Sequence, residues 1–238
     1  MHSRHLACTL GVVAVLATTA VSGQVVINEV LFDPIGVNFG GQIVEIRNQG
    51  ASPVAVGGFW LYFAPARWQF PADAAPIPPG ETIRVHVNSH GAATVSDYFT
   101  GIAGMRNLNQ KDGIAVYSTN VFTNPAVLVD FVQWGGASNA GEDVAVAAGQ
   151  WTVGTFVNVQ ALRDGSSIAY DGSGFTPGDW CVDGTPSLGA TNDSCTTSFV
   201  ESPVIINEIG YVRTGPGAYH PAIELRNAGS VLEDLGGK

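Results

Sequence analysis

Val25-Val-Ile-Asn-Glu-Val30 and Val44-Glu-Ile-Arg-Asn48 decide how this chain is read, because both return further along. The first comes back as Val204-Ile-Ile-Asn-Glu-Ile209, the second as Ile223-Glu-Leu-Arg-Asn227, and Gly57-Gly58 as Gly236-Gly237. All three pairs share one offset of 179 residues, without a gap. Over residues 25–58, 11 of 34 positions are identical, and most of the other core positions exchange one aliphatic for another. Self-similarity at a fixed offset marks a duplicated structural unit.

Working outward from these stretches, the chain is a succession of short apolar runs bounded by turn residues. Examples are Ile43–Ile46, Phe59–Phe63, Thr82–Val87, Gly113–Tyr117, Val127–Trp134 and Ser167–Tyr170. They are rich in Val, Ile, Phe, Tyr and Trp and are punctuated by Asp-Pro, Gly-Gly, Pro-Pro-Gly and Asp-Gly, the pattern of strands and turns. No segment sustains a 3.6-residue period over three turns. The expected architecture is all-β, an antiparallel sandwich in preference to a barrel. The repeat divides the chain into a complete domain over 24–198, a linker over 199–203 and a truncated second repeat over 204–238. A segment of two strands cannot bury a core of its own. The chain is therefore expected to be a fragment of a longer protein or the product of an interrupted gene, with its tail poorly ordered or paired opportunistically with the first domain.

Composition narrows the function. Of 238 residues only 13% are charged, while 30 Gly and 13 Pro exclude a coiled coil or helical bundle. A net charge of −10 argues against nucleic acid as a partner. Residues 1–23 read as a signal peptide: Arg4 with His2 and His5, an uncharged run over Leu6–Val21, then Val21-Ser22-Gly23 before a cut ahead of Gln24. The run is short for a membrane span of roughly 20 residues, so no span is expected after cleavage, and the mature chain is expected to be secreted or held at the cell surface. Without Arg4 the mature chain has 9 basic and 20 acidic residues, a net −11. Cys8 leaves with the signal, and Cys181 and Cys195 are then read as a disulfide in an oxidising compartment. Closing a loop of about 15 residues is worth roughly 3 kcal/mol in the chain-entropy picture.

The duplicated residues also carry a resemblance. Ile-Asn-Glu-(Val/Ile), Asp33-Pro34, (Val/Ile)-Glu-(Ile/Leu)-Arg-Asn and the aromatic run after Gly57-Gly58 resemble the lamin tail domain family. So do Asp112-Gly-Ile-Ala-Val-Tyr117, Val129-Asp-Phe-Val-Gln-Trp134, Asp179-Trp180 and Thr185-Pro-Ser-Leu-Gly-Ala-Thr-Asn192. The match spans about 25–192 and restarts at 204. The resemblance implies an immunoglobulin-like β-sandwich that binds rather than catalyses, of the kind found in exported bacterial proteins beside hydrolases or surface anchors. Gly135–Phe156 and the Cys181–Cys195 loop depart from it as elaborations, and the absence of a preceding coiled-coil rod excludes a nuclear lamin.

Six sets of candidate site residues follow. Asn28, Glu29, Glu45, Arg47 and Asn48 recur in both copies. Strand alternation puts Val44 and Ile46 on one side and Glu45 and Arg47 on the other. Paired carboxylates suit general acid–base work. The favoured reading is a structural polar cluster with Arg47 as counter-ion and Asn28 or Asn48 tying down a turn, because a duplicated scaffold repeats architecture more reliably than chemistry. His86 and His90 lie at a strand end without a metal-binding motif and read as surface histidines. Ser166-Ser167 lacks a nucleophile-elbow setting. Asp164, Asp171, Asp179 and Asp183, with Asp193, lie in Gly/Ser/Thr-rich turns; hard oxygen ligands on loops suit a structural calcium, but turn formation is the simpler role. Trp68, within an aromatic-rich stretch, is a candidate sugar-stacking residue. Asn192-Asp193-Ser194 is a glycosylation sequon in a eukaryotic setting.

The functional expectation is a non-catalytic extracellular or cell-surface interaction or scaffolding module, without a catalytic cofactor. Its partner would be a protein or polysaccharide. The alternatives are a targeting module of a longer secreted hydrolase and a metal-dependent phosphoesterase using the Asp-rich loops.

Overall fold

The computed structural model describes residues 24–36, 38–172, 174–192, 204–215 and 218–227. The chain divides into two compact units, Met1–Cys195 and Thr196–Lys238. The first unit is an all-β sandwich of ten strands. These are β1 (Val25–Leu31), β2 (Ile43–Asn48), β3 (Trp60–Phe63), β4 (Ala66–Gln69) and β5 (Thr82–His86), then β6 (Asp97–Phe99), β7 (Asp112–Tyr117), β8 (Leu128–Trp134), β9 (Ser167–Tyr170) and β10 (Trp180–Asp183). One sheet has the order β10-β9-β1-β2-β5-β6, the other β4-β3-β7-β8. Every pairing is antiparallel except that of β5 with the short edge strand β6.

Alternation builds the core. Val25, Ile27 and Val30 of β1, Val44 and Ile46 of β2, and Ile83 and Val85 of β5 are all buried. So are Leu61 and Phe63 of β3, Ile114 and Val116 of β7, and Val132 and Trp134 of β8. Trp134 stacks on Phe32, ring centroids 5.0 Å apart. Each such side chain contributes roughly 1.5–3 kcal/mol through removal from water.

The strands β1, β7 and β8 are buried on both faces, beyond what alternation alone predicts. Two coverings explain it. The outer face of β7 and β8 is covered by a six-residue helix, α1 (Glu142–Ala147), and by Trp151, which meets Phe131 edge-on at 5.5 Å. This is the Gly135–Phe156 elaboration. Gly141 precedes α1 with φ 97°, a conformation that favours glycine, and a Cβ there would approach the Phe131 ring to 3.3 Å, a tight contact. The outer face of β1 and β2 is covered by a strap, residues 184–192, that follows β10.

The second unit is a hairpin of β11 (Val204–Gly215) and β12 (Ala218–Asn227). Its pairing repeats that of β1 and β2 position by position. Val25↔Asn48, Ile27↔Ile46, Glu29↔Glu45 and Val30↔Val44 become Val204↔Asn227, Ile206↔Leu225, Glu208↔Glu224 and Ile209↔Ile223. The β-bulge between Ile27 and Glu29 recurs between Ile206 and Glu208. The predicted signal peptide, linker and residues 228–238 lie outside the described residues.

Candidate functional site

The bulge at Asn28 sets the geometry of the polar cluster. In a regular strand Asn28 and Glu29 would point to opposite faces. The extra residue lets both point outward, and leaves the Ile27 N–H without a ladder partner. That N–H donates instead to Asp130 Oδ2 at 2.6 Å, reaching across the sandwich from β1 to β8. Asp130 stands on the inner face of β8, in line with Val132 and Trp134. Burial raises its carboxyl to about 7, although bonds from the Ile27 and Phe131 backbone pull it down. The sequence offered one signal for this residue: a lone carboxylate inside the apolar run 127–134.

On the outer face, Glu29 and Glu45 stand directly opposite one another on adjacent strands, and both are fully buried. Glu29 Oε1 accepts the Ser167 hydroxyl at 2.5 Å and the Ser187 N–H at 3.0 Å, and Ser187 Oγ lies 3.1 Å from Oε2. Glu45 Oε1 accepts Asn28 Nδ2 at 2.7 Å, while Oε2 accepts the Gly189 N–H. Asn28 Nδ2 also donates to Asn192 Oδ1 at 2.9 Å, and Asn192 Nδ2 donates to the carbonyls of Asn28 (2.9 Å) and Tyr170 (2.8 Å). Burial raises Glu29 to about 7; the bonds from Ser167 and Ser187 lower it, and the Glu45 charge raises it further. Glu45 is also raised by burial, opposed by bonds from Gly189, Asn28 and Thr82 and by the charge of Arg84.

The cation acting on Glu45 differs from the expected one: it is the charge of Arg84, whose own ion pair is with Asp97. Arg84 is the register partner of Glu45 on β5, whereas Arg47 lies two pairs further along, between Val26 and Thr82. Among the described residues the buried Arg47 Nε has no hydrogen-bond partner. Asn48 does tie down a turn: Nδ2 donates to the carbonyls of Ser52 and Ile77, both at 2.8 Å, and Oδ1 accepts the Gly50 N–H at 2.9 Å. The duplication identified the members on β1 and β2. It was silent on Ser167, Ser187, Gly189 and Asn192, which arrive from 138 to 164 residues away.

The other candidates are dispersed. Asp179 caps a 3₁₀ turn by accepting the Thr176 N–H and hydroxyl, both at 2.7 Å, and Asp183 accepts the Thr185 N–H at 2.9 Å. Asp164 and Asp171 are exposed. Among the described residues no three His, Cys, Asp or Glu side chains gather to hold a metal ion, so the calcium reading loses its ligand set there. Asp193 lies outside the described residues.

His86 stacks on Phe99 at 4.5 Å, and its Nε2 lies 2.9 Å from Asp97 Oδ1. Arg84 meets the other Asp97 oxygen at 2.8 Å. Partial burial opposes Asp97 ionisation, but the bonds from His86, Arg84 and Ser96 outweigh it and hold the carboxyl at about 2. His90 is exposed on the loop after β5. Trp68 is half-buried, its ring 4.6 Å from Phe70 and 6.2 Å from Tyr98. Cys181 is half-buried on β10, 3.7 Å from the Ala169 carbonyl; Cys195 lies outside the described residues. Among the described residues no helix is long and apolar enough to cross a membrane.

No protein-family model matches the chain, and a search of curated proteins returns no match.

Proposed function

We propose that the chain is a non-catalytic interaction or scaffolding module of the lamin-tail kind, acting outside the cell or at its surface. One observation carries this reading. Asn28, Glu29, Glu45 and Asn48, four of the five polar residues of this cluster that the duplication retains, spend their side-chain atoms on hydrogen bonds inside the fold. Catalysis needs such groups aimed at a substrate position; these hold strands, a turn and a strap together. The sequence motifs and the signal-like residues 1–23 support the family and the export. Export in turn supports pairing of Cys181 with Cys195.

The experiment uses the full chain. Assayed with a chromogenic phosphodiester in the presence of magnesium, manganese or calcium, it should give no turnover above blank, and it should bind a cell-wall polysaccharide or a purified surface protein. Metal-dependent turnover that disappears with chelator would overturn the module reading. Peptide mapping without reductant should show the Cys181–Cys195 link in secreted material.

A further inference from the structure

The polar cluster over β1 and β2 has fewer hydrogens than contacts, and counting them locates a proton. Asn192 Nδ2 is committed to the carbonyls of Asn28 and Tyr170, which turns Oδ1 toward Asn28 Nδ2 and Ser187 Oγ. Ser187 Oγ lies 3.2 Å from that oxygen and 3.1 Å from Glu29 Oε2. One hydroxyl hydrogen cannot serve two acceptors that have none. Every contact is satisfied once Glu29 Oε2 carries a proton. It then donates to Ser187 Oγ, and the Ser187 hydroxyl donates to Asn192, while Oε1 still accepts Ser167 and the Ser187 N–H. Glu45 has the opposite setting. Its oxygens receive Asn28 and Gly189, with Arg84 across the ladder, so Glu45 is the ionised member of the pair.

We propose that the 184–192 strap is a proton-operated latch, closed on the sheet while Glu29 Oε2 holds a proton and released when that proton is lost. Loss of the proton sets a second negative charge opposite Glu45, between adjacent buried strands, and leaves Ser187 facing two bare acceptors. The strap, Gly-Thr-Pro-Ser-Leu-Gly-Ala-Thr-Asn, has no titratable or charged side chain with which to compensate. The groups around Glu29 do not compensate either. Glu45 faces it on β2, Arg84 lies beyond Glu45 on β5, and Arg47 lies further along β2. Tyr170, Cys181 and Asp183 occupy β9 and β10, and Asp130 lies beneath β1 on the opposite sheet. Burial places the Glu29 transition near pH 7. Asp130 titrates in the same range, so the readout must be local to the strap.

Hydrogen exchange of the full chain, read by mass spectrometry from pH 5 to pH 8 and corrected for intrinsic rates, provides it. Opening of peptides covering 184–192 should rise roughly 70-fold over that span, as linkage to a carboxyl titrating near 7 when closed and near 4.5 when open requires. Glu29→Gln, whose amide donates to Ser187 as the protonated acid does, should keep the strap closed throughout. Asp130→Asn should leave the wild-type slope in place. A flat wild-type profile, or an unchanged slope in Glu29→Gln, would overturn the proposal. Should Glu29→Gln not fold, the infrared spectrum of Asp130→Asn decides. A protonated-carboxyl band present at pH 5 and gone by pH 8.5 supports the latch; its absence at pH 5 overturns it.

Discussion

The hairpins β1–β2 and β11–β12 share a register, a bulge and an opposed pair of glutamates, yet their surroundings differ completely. Val44 and Ile46 are 0% and 1% exposed, whereas their counterparts Ile223 and Leu225 are 63% and 51% exposed. The comparison separates two things that are usually learned together. Pairing and bulge position belong to the local sequence, since they persist in a hairpin that pairs with no other strand among the described residues. Burial belongs to context: β5 and β9 on the flanks, the second sheet below and the strap above. Val204, Ile206, Ile209, Ile223 and Leu225 occupy the register positions that form the core face in the first copy.

Breaking the comparison at its strongest point should have the largest effect. Ile46→Ala is expected to cost about 2–5 kcal/mol through lost transfer energy and a residual cavity, measured as a shift of the denaturation midpoint of the main transition.

Next comes pH. Glu29 and Asp130 have folded pKa values of about 7 against ordinary values of 4.5 and 3.8. The folded chain therefore holds protons that the unfolded chain has released, and their contribution is complete below about pH 4. It falls as pH rises and is gone above about 7. Asp97 works with the opposite sign. Held at about 2 against 3.8, it contributes above 3.8, and that contribution is lost as pH falls toward 2. Melting temperature measured across pH 2–9 should thus peak on the acid side of neutrality, and the alkaline limb should flatten in Glu29→Gln/Asp130→Asn.

Asp130→Ala should then cost about 1–3 kcal/mol, because the Ile27 N–H is left buried without a partner. Asp130→Asn, which can still accept, should cost less by the same equilibrium measurement. The smallest effect sharpens the contrast from the other side. Leu225→Ala should move the main transition by no more than about 0.5 kcal/mol, although it occupies the position of Ile46.

These pairs also show what was legible in the sequence. The strands β1, β2, β3, β5, β7, β8 and β9 announced themselves, and the duplication singled out the hairpin that carries the polar cluster. The short strands β4, β6 and β10 did not. Asp97-Tyr-Phe99 and Trp180-Cys-Val-Asp183 are too brief for a period to register, and each is an edge strand held on one side only, by the strand just before it in the chain. The helix α1 is six residues long and takes its stability from the β7–β8 face it covers. Within the cluster, Glu29 and Glu45 were legible as a pair, but their burial was not. Alternation assigned them to an outer face, and outer faces normally meet water. What buries them is the strap, whose Ser187, Gly189 and Asn192 occur once and obey no periodicity. Arg84 was missed as the cation acting on Glu45 for a related reason: cross-strand neighbours lie at register positions that a single strand does not reveal.

The bulge at Asn28 has a consequence best put in terms of gene-length variation. Loss of one residue from a strand normally inverts everything on one side of the gap, sending core side chains outward. Position 28 of β1 escapes this rule. With Asn28 removed, Ile27 would adjoin Glu29 in a regular ladder opposite Ile46 and Glu45, with their present orientations kept. The strand can shorten there by one codon at the cost of the Asn28 bonds and of the Ile27 N–H that the bulge directs to Asp130, whereas the same deletion at Val30 would invert the side chains beyond the gap.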